Sequence, residues 1–178
     1  MKVLVFGDVI VDKYIYGSST RISPEAPVPV VNIEKVATSL GGAGLVYENL
    51  KNLGVNVTLL ETEQPRSVKT RIIADGKQVA RLDKEKINDI NSEIEQELKN
   101  QITKNNIEFV IANGENAADE GVGITKRISK DLFNFGVDVI TTGNHVWDQK
   151  ETFEFIKKQK RLLRPLNLSG DVPGNGFG

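Results

Sequence analysis

Hydrophobic and polar positions along this chain form two patterns that change over near its middle. Lys2-Val-Leu-Val-Phe6 is a short continuous apolar run closed by Gly7-Asp8. That is the pattern of a buried parallel strand delivering a polar residue at its C-terminal end. Pro24, Pro27 and Pro29 mark an irregular stretch leading into Val28–Val36, which has β-rich composition. Gly41-Gly42 opens a predicted helix reaching about Leu53, with Leu45, Val46 and Leu50 near helical spacing. Gly54 ends it, and Val55–Leu60 is the next strand. Val68–Ala74 and Gln78–Leu82 flank Asp75-Gly76, the best hairpin signal in the chain.

The second pattern begins with Asn88–Asn106, a polar and charged segment that keeps Ile90, Ile94, Leu98 and Ile102 on one helical face. Beyond it strands and helices alternate: a strand over Ile107–Ala112, a helix over Thr125–Phe135 and a strand over Val137–Thr142. A helix over Gln149–Lys158 and an extended piece at Leu162-Leu163 follow, and residues 171–178 are loop-like. Such alternation predicts an α/β fold: an open three-layer, mostly parallel sheet with helices on both faces and a β-hairpin near residues 68–83. The strands at Lys2–Phe6, Val55–Leu60, Ile107–Ala112 and Val137–Thr142 are expected to share one continuous sheet, with the hairpin at its edge or projecting. Residues 1–86, a helical seam at 87–106 and residues 107–178 read as segments of one unit.

Composition narrows the function classes. The formal net charge is -1, with 39% hydrophobic and 26% charged residues, so no bulk field points to a nucleic acid or a membrane surface. No stretch approaches the roughly 20 apolar residues needed to span a bilayer, and the start lacks the pattern of a signal peptide. A cytoplasmic location is the expectation. There are no cysteines, which excludes disulfides, zinc–thiolate sites and cysteine nucleophiles. His145 is the single histidine, so a site needing several imidazoles cannot be built from this chain alone.

In the front half the chemistry-bearing residues form an ordered series. Gly7-Asp8-Val-Ile-Val-Asp12 comes first, then Arg21-Ile-Ser-Pro-Glu-Ala-Pro-Val-Pro29 and Gly41-Gly42-Ala43. Val68-Lys-Thr-Arg71-Ile-Ile-Ala74 and Gln78-Val-Ala-Arg-Leu-Asp83 complete it. This series resembles the N-terminal part of the heptose-7-phosphate kinases, within the ribokinase (PfkB) superfamily. The resemblance implies a carbohydrate kinase-like, sugar-phosphate-binding segment. In it Asp12 accepts hydrogen bonds from sugar hydroxyls, Gly41 and Gly42 let the backbone approach the sugar, and Arg71 suits a phosphate or hydroxyl contact. Leu45 stands where the family usually has asparagine. The Gly-Ala-Gly-Asp loop that supplies the helix N-terminus and catalytic aspartate occurs nowhere, so phosphoryl transfer is not expected.

The back half carries a denser set. Phe109-Val-Ile-Ala-Asn113-Gly-Glu115-Asn116 places polar residues after a strand, Gly121-Val-Gly-Ile-Thr125 leads into a helix, and Val137-Asp-Val-Ile-Thr-Thr-Gly-Asn144-His145-Val-Trp-Asp148 ends another strand. Arg161-Leu-Leu-Arg-Pro-Leu-Asn167 follows. These residues resemble the YmdB-type metallophosphoesterases, calcineurin-like enzymes that hydrolyse 2′,3′-cyclic nucleotides. The resemblance implies Glu115 and Asn144 as ligands of a divalent metal (iron or manganese, or magnesium) and His145 as the catalytic acid. Carboxylate and amide oxygens at the ends of adjacent parallel strands converge on the crevice where open α/β sheets bind ligands. Asp8 fits both families: its Gly-Asp matches a phosphodiesterase metal ligand, while its neighbours match the kinase. Structural roles are expected for Trp147, Arg164 and Asn167.

The family's other metal ligands are histidines beyond the last residue of this chain, so the expected centre is weak or incomplete. Three readings follow. One is a metal-dependent phosphodiesterase, impaired as this chain; another is a sugar-phosphate binder; the third is a joined or truncated product without an evolved function. The expected partner is a small phosphodiester or sugar phosphate, with no membrane and no strong nucleic-acid patch.

Overall fold

The computed structural model describes residues 1–61, 66–84, 92–168 and 170–178, with the side chain of Ser92 left aside. Nine strands and four α-helices appear among the described residues. The strands are β1 (Lys2–Gly7), β2 (Val9–Ile22), β3 (Pro29–Gly42), β4 (Asn56–Leu60), β5 (Ser67–Ala74), β6 (Lys77–Lys84), β7 (Phe109–Asn113), β8 (Val139–Thr141) and β9 (Leu162–Leu163). The helices are α1 (Ala43–Asn52), α2 (Ser92–Asn105), α3 (Lys126–Asn134) and α4 (Thr152–Phe155), the last continued by a 3-10 turn over Ile156–Lys158.

The strands form two sheets. The first, ordered β4-β1-β7-β8-β9, is parallel throughout. It contains all four strands expected to pair, and it joins the two halves of the sequence because β1 lies between β4 and β7. Alternation along β1 divides the core. Leu4 and Phe6 point into a cluster with Leu98 of α2, Ile128 and Leu132 of α3, Val110 and Ile140. Val5 points the other way, to Ala43 of α1 with Val57, Leu59 and Ile111. Helices therefore cover both faces, which is why β1 reads as an uninterrupted apolar run instead of an alternating one. The expected face of the seam helix packs as Ile94, Leu98 and Ile102; Ile90 lies outside the described residues.

The second sheet, ordered β3-β2-β5-β6, holds the Asp75-Gly76 hairpin as β5–β6. It is larger than the sequence pattern indicates. β2 and β3 are each 14 residues long, and Pro24 and Pro27 lie in the connection between them. Register shifts at Tyr16/Gly17 and Ser18/Arg21 blur the period of two. Their side chains are also half-buried or exposed along most of their length, so no apolar face announces them.

Helix ends follow local chemistry. Thr125 caps α3 by accepting a hydrogen bond from the Ile128 N–H at 3.2 Å. The helix expected over Gln149–Lys158 begins later, at Thr152, whose buried hydroxyl donates to the Ile124 carbonyl at 2.7 Å. Among the described residues no helix is long and apolar enough to cross a membrane.

Candidate functional site

Three neighbouring strand ends define the site. Gly7 at the end of β1 pairs with Asn113 at the end of β7, which pairs with Thr141 at the end of β8. Asp8 leaves the first, Glu115 the second, and Asn144-His145 the third. All are thus delivered to the C-terminal edge of the parallel sheet, where ligand crevices form.

Glu115 is positioned from two sides. The Asn113 side-chain oxygen accepts from the Glu115 N–H at 3.3 Å, turning the chain after β7. The Glu115 Oε1 then accepts from the Asn144 backbone N–H at 3.1 Å. This seat requires glycine at position 143, since a Cβ there would lie 2.2 Å from the Glu115 carboxyl carbon. Two expected metal ligands therefore meet through a contact between side chain and backbone. The following loop folds back on the same residue: the Gly123 N–H donates to the Glu115 carbonyl at 2.7 Å, and Gln149 Nε2 donates to the Val122 carbonyl at 2.9 Å.

His145 is about one-third exposed, and its Nδ1 lies 2.6 Å from Asp148 Oδ2. Asp148 holds the ring by that nitrogen, and no other described residue hydrogen-bonds the imidazole. The sequence pattern does not single out Asp148, although its position three residues after a histidine in a tight turn is a usable signal. Gly143 is likewise legible only once Glu115 is seen against it. Trp147 packs on the main core with its ring edge-on to Phe153. Arg164 donates to the Gly174 and Pro165 carbonyls, holding the tail.

The donors of Asp8, Glu115 and Asn144 are all oxygens, which suits a hard divalent cation. Among the described residues no group of three or more His, Asp or Glu is gathered to hold a metal.

The front-half candidates also converge. Asp12 on β2 and Arg71 on β5 form an ion pair, Nη1 to Oδ1 2.5 Å, with the guanidinium 5.3 Å from the Tyr14 ring centroid. Gly41 lies against the same carboxylate; a Cβ there would stand 2.7 Å from Asp12 Oδ2. Gly42 faces elsewhere. Its φ is +57°, and a Cβ would come 2.3 Å from the Asp8 carbonyl, which accepts the Ala43 N–H at 2.9 Å. The glycine pair is therefore divided, one residue against Asp12 and one against Asp8.

Comparison with known proteins finds two resemblances. Residues 91–178 match the family of YmdB-like proteins. Over 75 residues the chain is 48% identical to the 2′,3′-cyclic-nucleotide 2′-phosphodiesterase of Bacillus subtilis (strain 168), covering 42% of this chain and 28% of that protein. Over 163 residues it is 34% identical to the bifunctional protein HldE of Aliarcobacter butzleri (strain RM4018), covering 74% of this chain and 33% of that protein. Among solved structures, a hypothetical protein from Thermus thermophilus is 37% identical with a TM-score of 0.43, covering 48% of this chain and 32% of that one. A carbohydrate kinase from Agrobacterium tumefaciens is 14% identical with a TM-score of 0.44, covering 88% and 64%. The chain is thus a chimera-like mix of two resemblances, to YmdB-like proteins and to HldE. It spans about a third of the length of these HldE relatives.

Proposed function

We propose that the back half carries part of a metal-dependent phosphodiester-hydrolysing centre, acting on a small phosphodiester of the 2′,3′-cyclic nucleotide type. The observation behind this reading is the seating of Glu115 on the Gly143–Asn144 backbone, with the His145–Asp148 pair one residue further on. In this reading Asp8, Glu115 and the Asn144 carboxamide oxygen hold a divalent cation. A cation held there supplies Lewis-acid activation of water and charge neutralisation at a phosphoryl oxygen. His145, held through Nδ1 by Asp148, turns Nε2 toward substrate and gives its proton to the leaving oxygen.

The test is hydrolysis of 2′,3′-cyclic AMP with Mn²⁺, comparing the chain with Glu115→Ala and His145→Ala. Each substitution is expected to lower the rate by about a hundredfold, the scale of one general acid. Equal rates in all three proteins would end the proposal.

A second reading is favoured by the Asp12–Arg71 pair beside Gly41: this polar cluster on the second sheet binds a sugar phosphate without transferring phosphate. Titration calorimetry with a heptose phosphate, against Asp12→Ala, separates it from the first. In both readings residues 1–86, 87–106 and 107–178 act as one unit.

A further inference from the structure

A groove of about 700 Å³ opens between α3 and the segment running from α4 to Arg161. Its α3 wall is the stripe Lys126, Ser129, Lys130, Phe133 and Asn134, residues spaced to share one helical face. The core-facing stripe of the same helix is Ile128 and Leu132. The second stripe faces the groove, with Phe133 at once packed against the main core and lining the cavity. Five cationic residues line the groove against two carboxylates, in a chain whose net charge is -1.

Both carboxylates are already engaged. Glu151 Oε1 accepts the Lys126 backbone N–H at 2.7 Å, and Glu154 pairs with Lys157 at 3.0 Å. Lys126, Lys130 and Lys158 have no carboxylate partner among the described residues. Ser129 is 3% exposed although it lines the groove, and no described residue hydrogen-bonds its hydroxyl. A buried hydroxyl without a protein partner is uncommon and asks for a ligand or water. Further along the stripe the Arg161 guanidinium lies 4.1 Å from the Phe133 ring centroid, a stacked pair flanked by the amides of Asn134 and Gln159.

We propose that this groove binds a nucleoside monophosphate. Lys126, Lys130 and the Ser129 hydroxyl take the phosphate, through charge-assisted and neutral hydrogen bonds. The exposed side of the Arg161–Phe133 stack takes the planar base, whose edge meets the two amides. The groove shares no residue with Asp8, Glu115, Asn144 or His145, so the proposal stands independently of the catalytic reading.

The experiment is a chemical-shift titration of the ¹⁵N-labelled chain with adenosine 5′-monophosphate, run in EDTA and in a Glu115→Ala background. Both conditions keep metal-dependent binding at the candidate centre out of the measurement. Saturable shifts at Ser129, Lys130, Phe133 and Arg161 are expected. Lys130→Glu and Arg161→Ala should each weaken binding by about tenfold or more, and Ser129→Ala by a few-fold. Lys35→Glu, the same charge change on the second sheet, should leave binding unchanged. Adenosine and inorganic phosphate alone should each bind at least about tenfold more weakly. The absence of saturable shifts would overturn the proposal. So would equal binding by Lys130→Glu and Lys35→Glu, or adenosine or phosphate binding as tightly as the monophosphate.

Discussion

The two sheets come from one chain and are held in opposite ways. The parallel sheet is clamped between α1 on one face and α2 with α3 on the other, and after Lys2 every residue of β1 is buried. The second sheet ends in β6, where all eight residues are exposed. Ile22, Ile33, Val36 and Leu82 lie more than half open to solvent. Hydrophobic burial thus stabilises the first sheet, whereas backbone ladders and the direct continuation from β1 into β2 organise the second. Similar residue types carry different energetic weight in the two, so a substitution table built on residue type alone would mislead here.

That contrast is broken most severely by truncating one side chain in each sheet's surroundings. Leu98→Ala removes a fully buried side chain from the main core and is expected to cost about 2–5 kcal/mol. Ile33→Ala, at 63% exposure, should change stability by no more than about 0.5 kcal/mol. Denaturant unfolding of both proteins decides the matter, and equal losses would mean the second sheet has a core of its own.

A smaller effect is expected at the mouth of the parallel sheet. Gly143→Ala forces a Cβ onto the Glu115 carboxylate and should cost about 1–3 kcal/mol by overpacking. Manganese affinity, read by electron paramagnetic resonance, should fall by about tenfold as the carboxylate is displaced. Wild-type affinity in that variant would separate the Glu115 seat from metal binding.

The smallest effect concerns the edge where the halves meet. Glu108 Oε2 accepts the Lys2 backbone N–H at 2.6 Å. This bond, aided by the amino-terminal charge, holds the carboxyl below its ordinary value of 4.5. A lowered folded value means the carboxylate favours the native state at pH above about 4.5, and the benefit disappears as pH falls through the lower folded value. Glu108→Gln should flatten the acid limb of the stability profile slightly, because the side chain is exposed and screened. An unchanged acid limb, followed by thermal unfolding between about pH 5 and 3, would remove Glu108 from the account.

How much of this was legible follows from the same physics. β1 announced itself because burial on both faces leaves no room for polar residues. Leu98 and its helical neighbours did so because a single apolar stripe survived in a charged segment. β2 did not, since irregular register and exposed side chains erase the alternation that marks a strand, and β3 showed only as the β-rich composition of Val28–Val36. For the site, Glu115, Asn144 and His145 were visible as polar residues following apolar strand runs. Their mutual arrangement was not, because it depends on a missing Cβ at Gly143 and on the turn that brings Asp148 back to the imidazole. The division of Gly41 from Gly42 was equally hidden: adjacent glycines read as one feature in a sequence and serve two different carboxyl-bearing residues in space.

One atom ties these regions together. The main-chain oxygen of Asp8 receives the first amide of α1 and abuts Gly42 at the end of β3, while the same residue separates β1 from β2. A movement of that peptide cannot be confined to one layer. It tilts the strand entering the exposed sheet and disturbs the start of the helix covering the buried one, so residue 8 works as a pivot whose position both sheets must share.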